Sequence, residues 1–478
     1  MFVMFRQVDL VSSDKGGGDT AAPVVSRDGR VPPETSPLER LLYRPVPLWL
    51  LLLVIVLGAG GLIAFGAVVD GWQKSGALGR AAIQTARLPD TIKRSFEGSA
   101  PYFRGQYPRL PAGFWRNPAQ GLVDPGYALV SPYDPERGRS VVRLIRLSDG
   151  ATLRDIVPDV DAANARSRFT SALTDVRRDK DAPRNRLMHP LLLSDGSIVV
   201  HDSSPLARYD PCGRLMWSLD GIFTHSTERG PDGTLWVPYR HPRPTEPGVR
   251  PTFWDDAVAN VSPDGTLLSS VTVAAILERN GLGHLWRGRP YSDDPFHLND
   301  IQPVMADGPH WRRGDVFLSL RNLSMVALYR PATGRILWWR VLPWRFQHDV
   351  TILDDHRISV FDNNVLMGYP REAVNGTNRL LVQDFAKGVT TSPYAEAFRR
   401  NAIATRAQGR GTPLPDGDAI VEETEQGRLL RVAPDGTVRW RYISADAQQR
   451  RFALAWARYL DSSTDGTAIQ KAMTTPCV

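Results

Sequence analysis

The chain has 478 residues and a formal charge of +7, with 42% of its residues hydrophobic, enough for a sizeable core and more than one segment. Arginine outnumbers lysine and is scattered, with no basic run of the kind that tracks a phosphate backbone, so nucleic acid is excluded as a partner. Two cysteines, Cys212 and Cys477, are too few for a disulfide framework and lie in no CxxC; they either form one bridge outside the cytoplasm or stay separate thiols.

Residues 1–45 are rich in Gly, Ser, Asp and Pro and read as a disordered tail. Val46 to Val69 then runs without a charge, long enough for a membrane-spanning helix and longer than the apolar part of a secretory signal. This segment, 46–69, reads as an uncleaved signal anchor that places the chain in a lipid bilayer. Arg40 and Arg44 before the span nearly balance Lys74 and Arg80 after it, so charge alone does not orient it. Residues 70–123 read as a stalk helix, from Lys74 to Phe96 and interrupted at Pro89, followed by a linker.

From residue 124 the texture becomes short apolar runs joined by Asp-Gly turns, the strongest short-range hairpin signal. They recur at Asp195-Gly196, Asp232-Gly233, Asp264-Gly265, Asp416-Gly417 and Asp435-Gly436. A second phrase, a Pro/Gly turn and then a strand ending in Trp, leads to Trp217, Trp338 and Trp440. Together the two phrases make a unit of roughly 40 residues, the period of a propeller blade. Units fall at 126–150, 187–220, 222–273, 296–342, 346–386 and 401–443. The fold class expected is therefore all-β, a propeller of about six blades over 124–445, preceded by one N-terminal transmembrane helix. Residues 446–478, with Phe452, Leu454, Trp456, Tyr459 and Leu460, read as a C-terminal helix and tail on the outside.

His189, His225 and His348 precede their hairpin turns by six or seven residues, and His297 takes the matching place in a unit with a longer hairpin. Inner strands of successive blades converge on the axis, so the spacing predicts four histidines facing one funnel. Such histidines are silent hydrogen-bonded channel residues, a metal site with Asp300 or Asp349 behind it, or catalytic groups.

Three motifs choose among these. The stretch Gln347-His348-Asp349 … Phe361-Asp362-Asn363-Asn364, together with His297-Leu298-Asn299-Asp300 and Ser319-Leu320-Arg321-Asn322 upstream, resembles the bacterial arylsulfate sulfotransferase family in kind and order. The resemblance is specific over roughly residues 185 to 365. It implies that His348 attacks the sulfur of a sulfate ester and carries the sulfonate to a phenolic or sugar hydroxyl. It further implies that Arg321 binds the sulfonate oxygens, that His297 contacts the sulfonate or protonates the leaving phenolate, and that His225 takes the complementary contact. Asn299, Asp349 and Asn363 are then supporting substrate-site residues, with no metal and no cofactor required. The family is periplasmic, which implies a single-pass protein of the bacterial inner membrane with its large domain in the periplasm. Where the family has Asn-Ser this chain has Asn299-Asp300, and a carboxylate turned inward there would repel a sulfate. The reading from a different class is a catalytically silent propeller that binds a partner in the cell envelope. What separates the two is whether His225, His297, Arg321 and His348 share one pocket.

Overall fold

The computed structural model describes residues 47–71, 76–86, 88–89, 102–103, 110–121, 123–169, 175–368 and 372–477; the expected disordered tail, 1–45, lies outside them. The chain divides into two units, Met1–Asp70 and Gly71–Val478. In the first, Leu48–Asp70 forms a 23-residue helix whose apolar side chains are exposed. At 1.5 Å per residue that is about 35 Å, enough to cross the hydrocarbon core of a bilayer. It is a candidate membrane span.

The second unit begins with the helix Gly76–Ala86, inside the segment expected as a stalk. Beyond it the chain is built of antiparallel sheets in a propeller-like arrangement. The Asp-Gly signals are hairpin turns: at Asp195-Gly196 the glycine has φ 84°, and the aspartate accepts from the Ser197 amide at 3.1 Å.

Four sheets stand separately as blades, and this corrects the count of six. The strands Leu298–Pro303, Val316–Leu320, Met325–Arg330 and Arg335–Val341 form one. His348–Ile352, Arg357–Asp362, Arg379–Asp384 and Val389–Thr391 form the next. The units expected at 187–220 and 222–273 are not separate. They run together into one eight-stranded sheet, because Ile222 and Phe223 pair directly with Arg240 and Tyr239.

The other two blades are completed by the ends of the chain. Arg458–Leu460 joins the sheet of Tyr127–Val130, Val142–Arg146 and Thr152–Ile156, while Gly113–Arg116 pairs with Val438–Ile443 as the fifth strand of its sheet. The helix expected around Phe452 to Leu460 is therefore corrected. Arg451–Phe452 and Arg458–Leu460 are strands, and the helix comes afterwards, at Ser462–Thr474. Cys212 and Cys477 are bridged, with Cα atoms 5.4 Å apart, which ties the end of that helix to the second predicted unit.

The core lies between neighbouring sheets. Phe317, Val326 and Leu328 of one blade pack with Val350, Ile358 and Val360 of the next, around the fully buried Trp344. Two apolar faces in contact leave the strand starts near the axis to polar side chains, and these are the residues that build the site.

Candidate active site

His225, His297 and His348 converge. The His225 ring lies 4.8 Å from that of His297 and 6.3 Å from that of His348, centre to centre. They reach this place from different ladder positions, which corrects the expectation of four histidines in register. His348 pairs with Phe361 at the start of its strand, His297 precedes the first paired residue Leu298, and His225 follows the strand Leu215–Phe223. His189 stands apart from the trio: its ring packs on Trp456 at 3.5 Å, and neither ring nitrogen has a hydrogen-bond partner.

Local backbone geometry aims these residues. His225, His297 and Asp349 have φ of 57°, 52° and 48°, left-handed values that side-chain-bearing residues adopt at a cost. The strands beginning at Leu298 and His348 each carry a bulge at their first pairs, which turns the strand start.

His348 is buried, and its Nδ1 lies 2.7 Å from Asn363 Oδ1. The amide end of Asn363 donates to the Thr405 and Gln408 carbonyls at 3.1 and 2.7 Å, so its oxygen must face the imidazole. Nδ1 therefore carries the proton and Nε2 the lone pair. The Gln408 backbone N–H, 3.3 Å from Nε2, accords with that tautomer. Burial holds the imidazole well below the ordinary histidine range, and the nearby Arg321 cation adds to the effect. His348 is thus a neutral, oriented imidazole at neutral pH. His225 is likewise held neutral by burial, then by His297 and His348.

His297 is set differently. Its Nδ1 meets Asp294 Oδ2 at 2.5 Å, which fixes the orientation of the ring. Asp294 was not anticipated, although a carboxylate three residues before a histidine in Asp294-Pro295-Phe296-His297 was visible.

Arg321 follows the end of the strand Val316–Leu320, and its backbone N–H donates to the His297 carbonyl at 3.1 Å. Its guanidinium lies over the Phe346 ring at 4.8 Å and touches Asn322 Oδ1 at 2.8 Å and Glu372 Oε2 at 3.4 Å. Burial lowers its pKa, but a guanidinium remains charged. Arg321, Asp294 and Phe346 open onto a cleft of about 560 Å³ whose wall also includes Trp286, Tyr291 and Arg289. Aromatic faces with cations suit an aryl group bearing an anion.

The supporting residues are buried braces. Asn299 donates to the Gln347 carbonyl at 2.8 Å, holding the start of the His348 strand. Asp349 is ion-paired with Arg410 at 3.2 Å and accepts from the Gly411 amide at 2.9 Å; burial raises its pKa to about 6. Asp300 accepts from the Val350 amide at 2.7 Å, and burial, reinforced by Asp349, raises it well above the carboxylate range. Burial and Asp349 both disfavour a charge on Asp300, whose carboxyl is engaged with the Val350 backbone. Among the described residues, the cluster with metal-ligand spacing is Asp354, Asp355 and His356, at the hairpin turn beyond the far end of the His348 strand.

The sequence model of the arylsulfotransferase (ASST) family matches residues 189–445, a span that includes all seven of these predicted site residues. No curated protein matches the chain. Among solved structures, a protein of unknown function from Bacteroides caccae is 12% identical, with 70% of this chain and 99% of that one covered and a TM-score of 0.43. Kuenenia stuttgartiensis hydrazine synthase is 11% identical, covering 67% and 81%, with a TM-score of 0.38. Virginiamycin B lyase from Staphylococcus aureus is 13% identical, covering 54% and 70%, with a TM-score of 0.32. Likenesses this distant carry no argument about the chemistry.

Proposed function

Because this chain belongs to the arylsulfotransferase (ASST) family, we propose that it transfers a sulfonate group from an aryl sulfate ester to a phenolic or sugar hydroxyl through a sulfonylated His348. The observation that carries this is the tautomer of His348: Asn363 holds the proton on Nδ1 and leaves the Nε2 lone pair on the side of the ring opposite that brace.

The aryl ring lies in the cleft between Tyr291 and Phe346, with Arg321 on the sulfonate oxygens. His348 Nε2 forms a bond to sulfur as the bond from sulfur to the aryl oxygen breaks. His297, its ring held by Asp294, gives a proton to the departing phenolate. In the second half the acceptor hydroxyl attacks the same sulfur, His297 takes its proton, and the bond to Nε2 breaks. The charge spread over the sulfonate oxygens in transit is met by Arg321 and by a ring N–H of His225. Convergence of the histidines in one place favours this over a silent scaffold.

Residues 46–69 act as a single-pass anchor in the bacterial inner membrane, with the large domain in the periplasm. The Cys212–Cys477 bridge supports that side, since disulfides persist in oxidising compartments. The test is turnover of a chromogenic aryl sulfate with a second phenol. Wild-type protein should release the chromophore in proportion to the acceptor sulfated. His348→Ala should lose at least about a thousandfold, as loss of a nucleophile does; an active His348→Ala variant would end the proposal.

A further inference from the structure

Beside the histidines lies a cation without a partner. Arg240 ends the strand Leu235–Arg240, opposite Asp256 on the neighbouring strand. Its guanidinium sits over the Trp254 indole, 3.4 Å from the ring centre, and Trp254 in turn stacks on His297. Its Nε is closed off from solvent and unbonded, and among the described residues the guanidinium makes neither a hydrogen bond nor an ion pair. Asp256 and Asp294 favour its charge from a distance, but both are committed, to the Leu298 amide and to His297. A shielded guanidinium with no acceptor is costly, because its donors have given up water for nothing. The flat stack on Trp254 fixes the plane of the fork and leaves its edge free, the geometry that binds oxyanions.

We propose that Arg240 is a second anion receptor of this site, donating to an oxyanion of the bound substrate. The word substrate rests on the transferase reading above; the anion site does not. The oxyanion has two sources. It is the sulfonate in transfer, or a second acidic group carried elsewhere on the donor or acceptor.

The experiment uses the full chain in detergent, with sodium sulfate titrated against the thermal midpoint, each variant compared with its own sulfate-free baseline. Wild-type protein should be stabilised by sulfate, and Arg240→Gln should need at least about tenfold more sulfate for the same shift. A wild-type sulfate response in Arg240→Gln overturns the assignment. If that variant fails to fold, Arg240→Lys, which keeps the charge but not the planar fork, takes its place, and a wild-type response there overturns the assignment equally. Turnover distinguishes the sources. Equal loss of kcat/KM with a simple aryl sulfate and with one carrying an added carboxylate assigns Arg240 to the sulfonate. Loss confined to the second assigns it to the extra group. Should the wild-type protein turn over neither donor, the transferase reading fails while the sulfate titration still decides the anion site.

Discussion

Replacing Asn363 tests the orientation of His348 without touching the ring itself. Asn363→Ala removes the acceptor 2.7 Å from Nδ1 and the two donations to Thr405 and Gln408. A buried N–H left without an acceptor costs about 1–3 kcal/mol. If that cost falls on the arrangement with the lone pair on Nε2, the first half-reaction slows by about one to two powers of ten. The thermal midpoint should drop as well, since about 1 kcal/mol is lost for each missing hydrogen bond. Asn363→Asp separates orientation from charge. It keeps an oxygen for Nδ1–H, but a carboxylate beside the imidazole favours the protonated ring and raises its pKa. A protonated ring has no lone pair on Nε2, so the variant should lose rate as the pH falls through the raised value. Wild-type His348, held well below the ordinary range, should show no such acid limb there. The assay is the burst of phenolate release in stopped flow across pH. Asn363→Ala with a wild-type burst rate, or Asn363→Asp with no acid limb, would refute the reasoning.

Other outcomes follow from the same geometry. Asp294→Asn should slow transfer from poor leaving groups more than from good ones, because only the former need the proton of His297; equal slowing across a series of phenols would contradict that role. Asp349, at about 6 in the folded protein against about 3.9 unfolded, binds its proton more tightly when folded, so its contribution to stability is lost as pH rises from about 4 to about 6. The thermal midpoint of Asp349→Asn relative to wild type should therefore improve over that window, and a constant difference would count against it. Cys477→Ser should lower the midpoint, the stability lost being bounded at about 5.6 kcal/mol in the chain-entropy account for a separation of 265 residues. An unchanged midpoint in the oxidised protein would show the bridge to be idle.

What the sequence made legible was mostly local. Asp195-Gly196 and its repeats marked hairpins because a turn and its two strands are neighbours in the chain. The strands supplied by the two ends, Gly113–Arg116 and Arg458–Leu460, were invisible because their pairing partners lie hundreds of residues away. The separate-blade count was hidden for a different reason: Phe223 pairs with Tyr239 across the boundary of two units whose local patterns are distinct, and this merges their sheets. In the site, motif order picked out His225, His297 and His348, whose rings lie together, but spacing misread how they meet. Bulges and left-handed residues shift each strand start, so equal distances to a turn do not give equal ladder positions. The contact of Gln408 with His348 spans 60 residues and leaves no trace in the pattern. Arg240 carried no signal either, because its meaning lies in the absence of a partner.

The central claim is that His348 Nε2 carries the sulfonate. Rapid quenching of the protein with an aryl sulfate and no acceptor, followed by digestion at mild pH and peptide mass mapping, tests it directly. The account predicts one added sulfonate on the peptide holding His348, discharged when a phenol is supplied at the rate of product formation. Burst release of phenol with the label elsewhere, or with no labelled peptide while turnover continues, would contradict it.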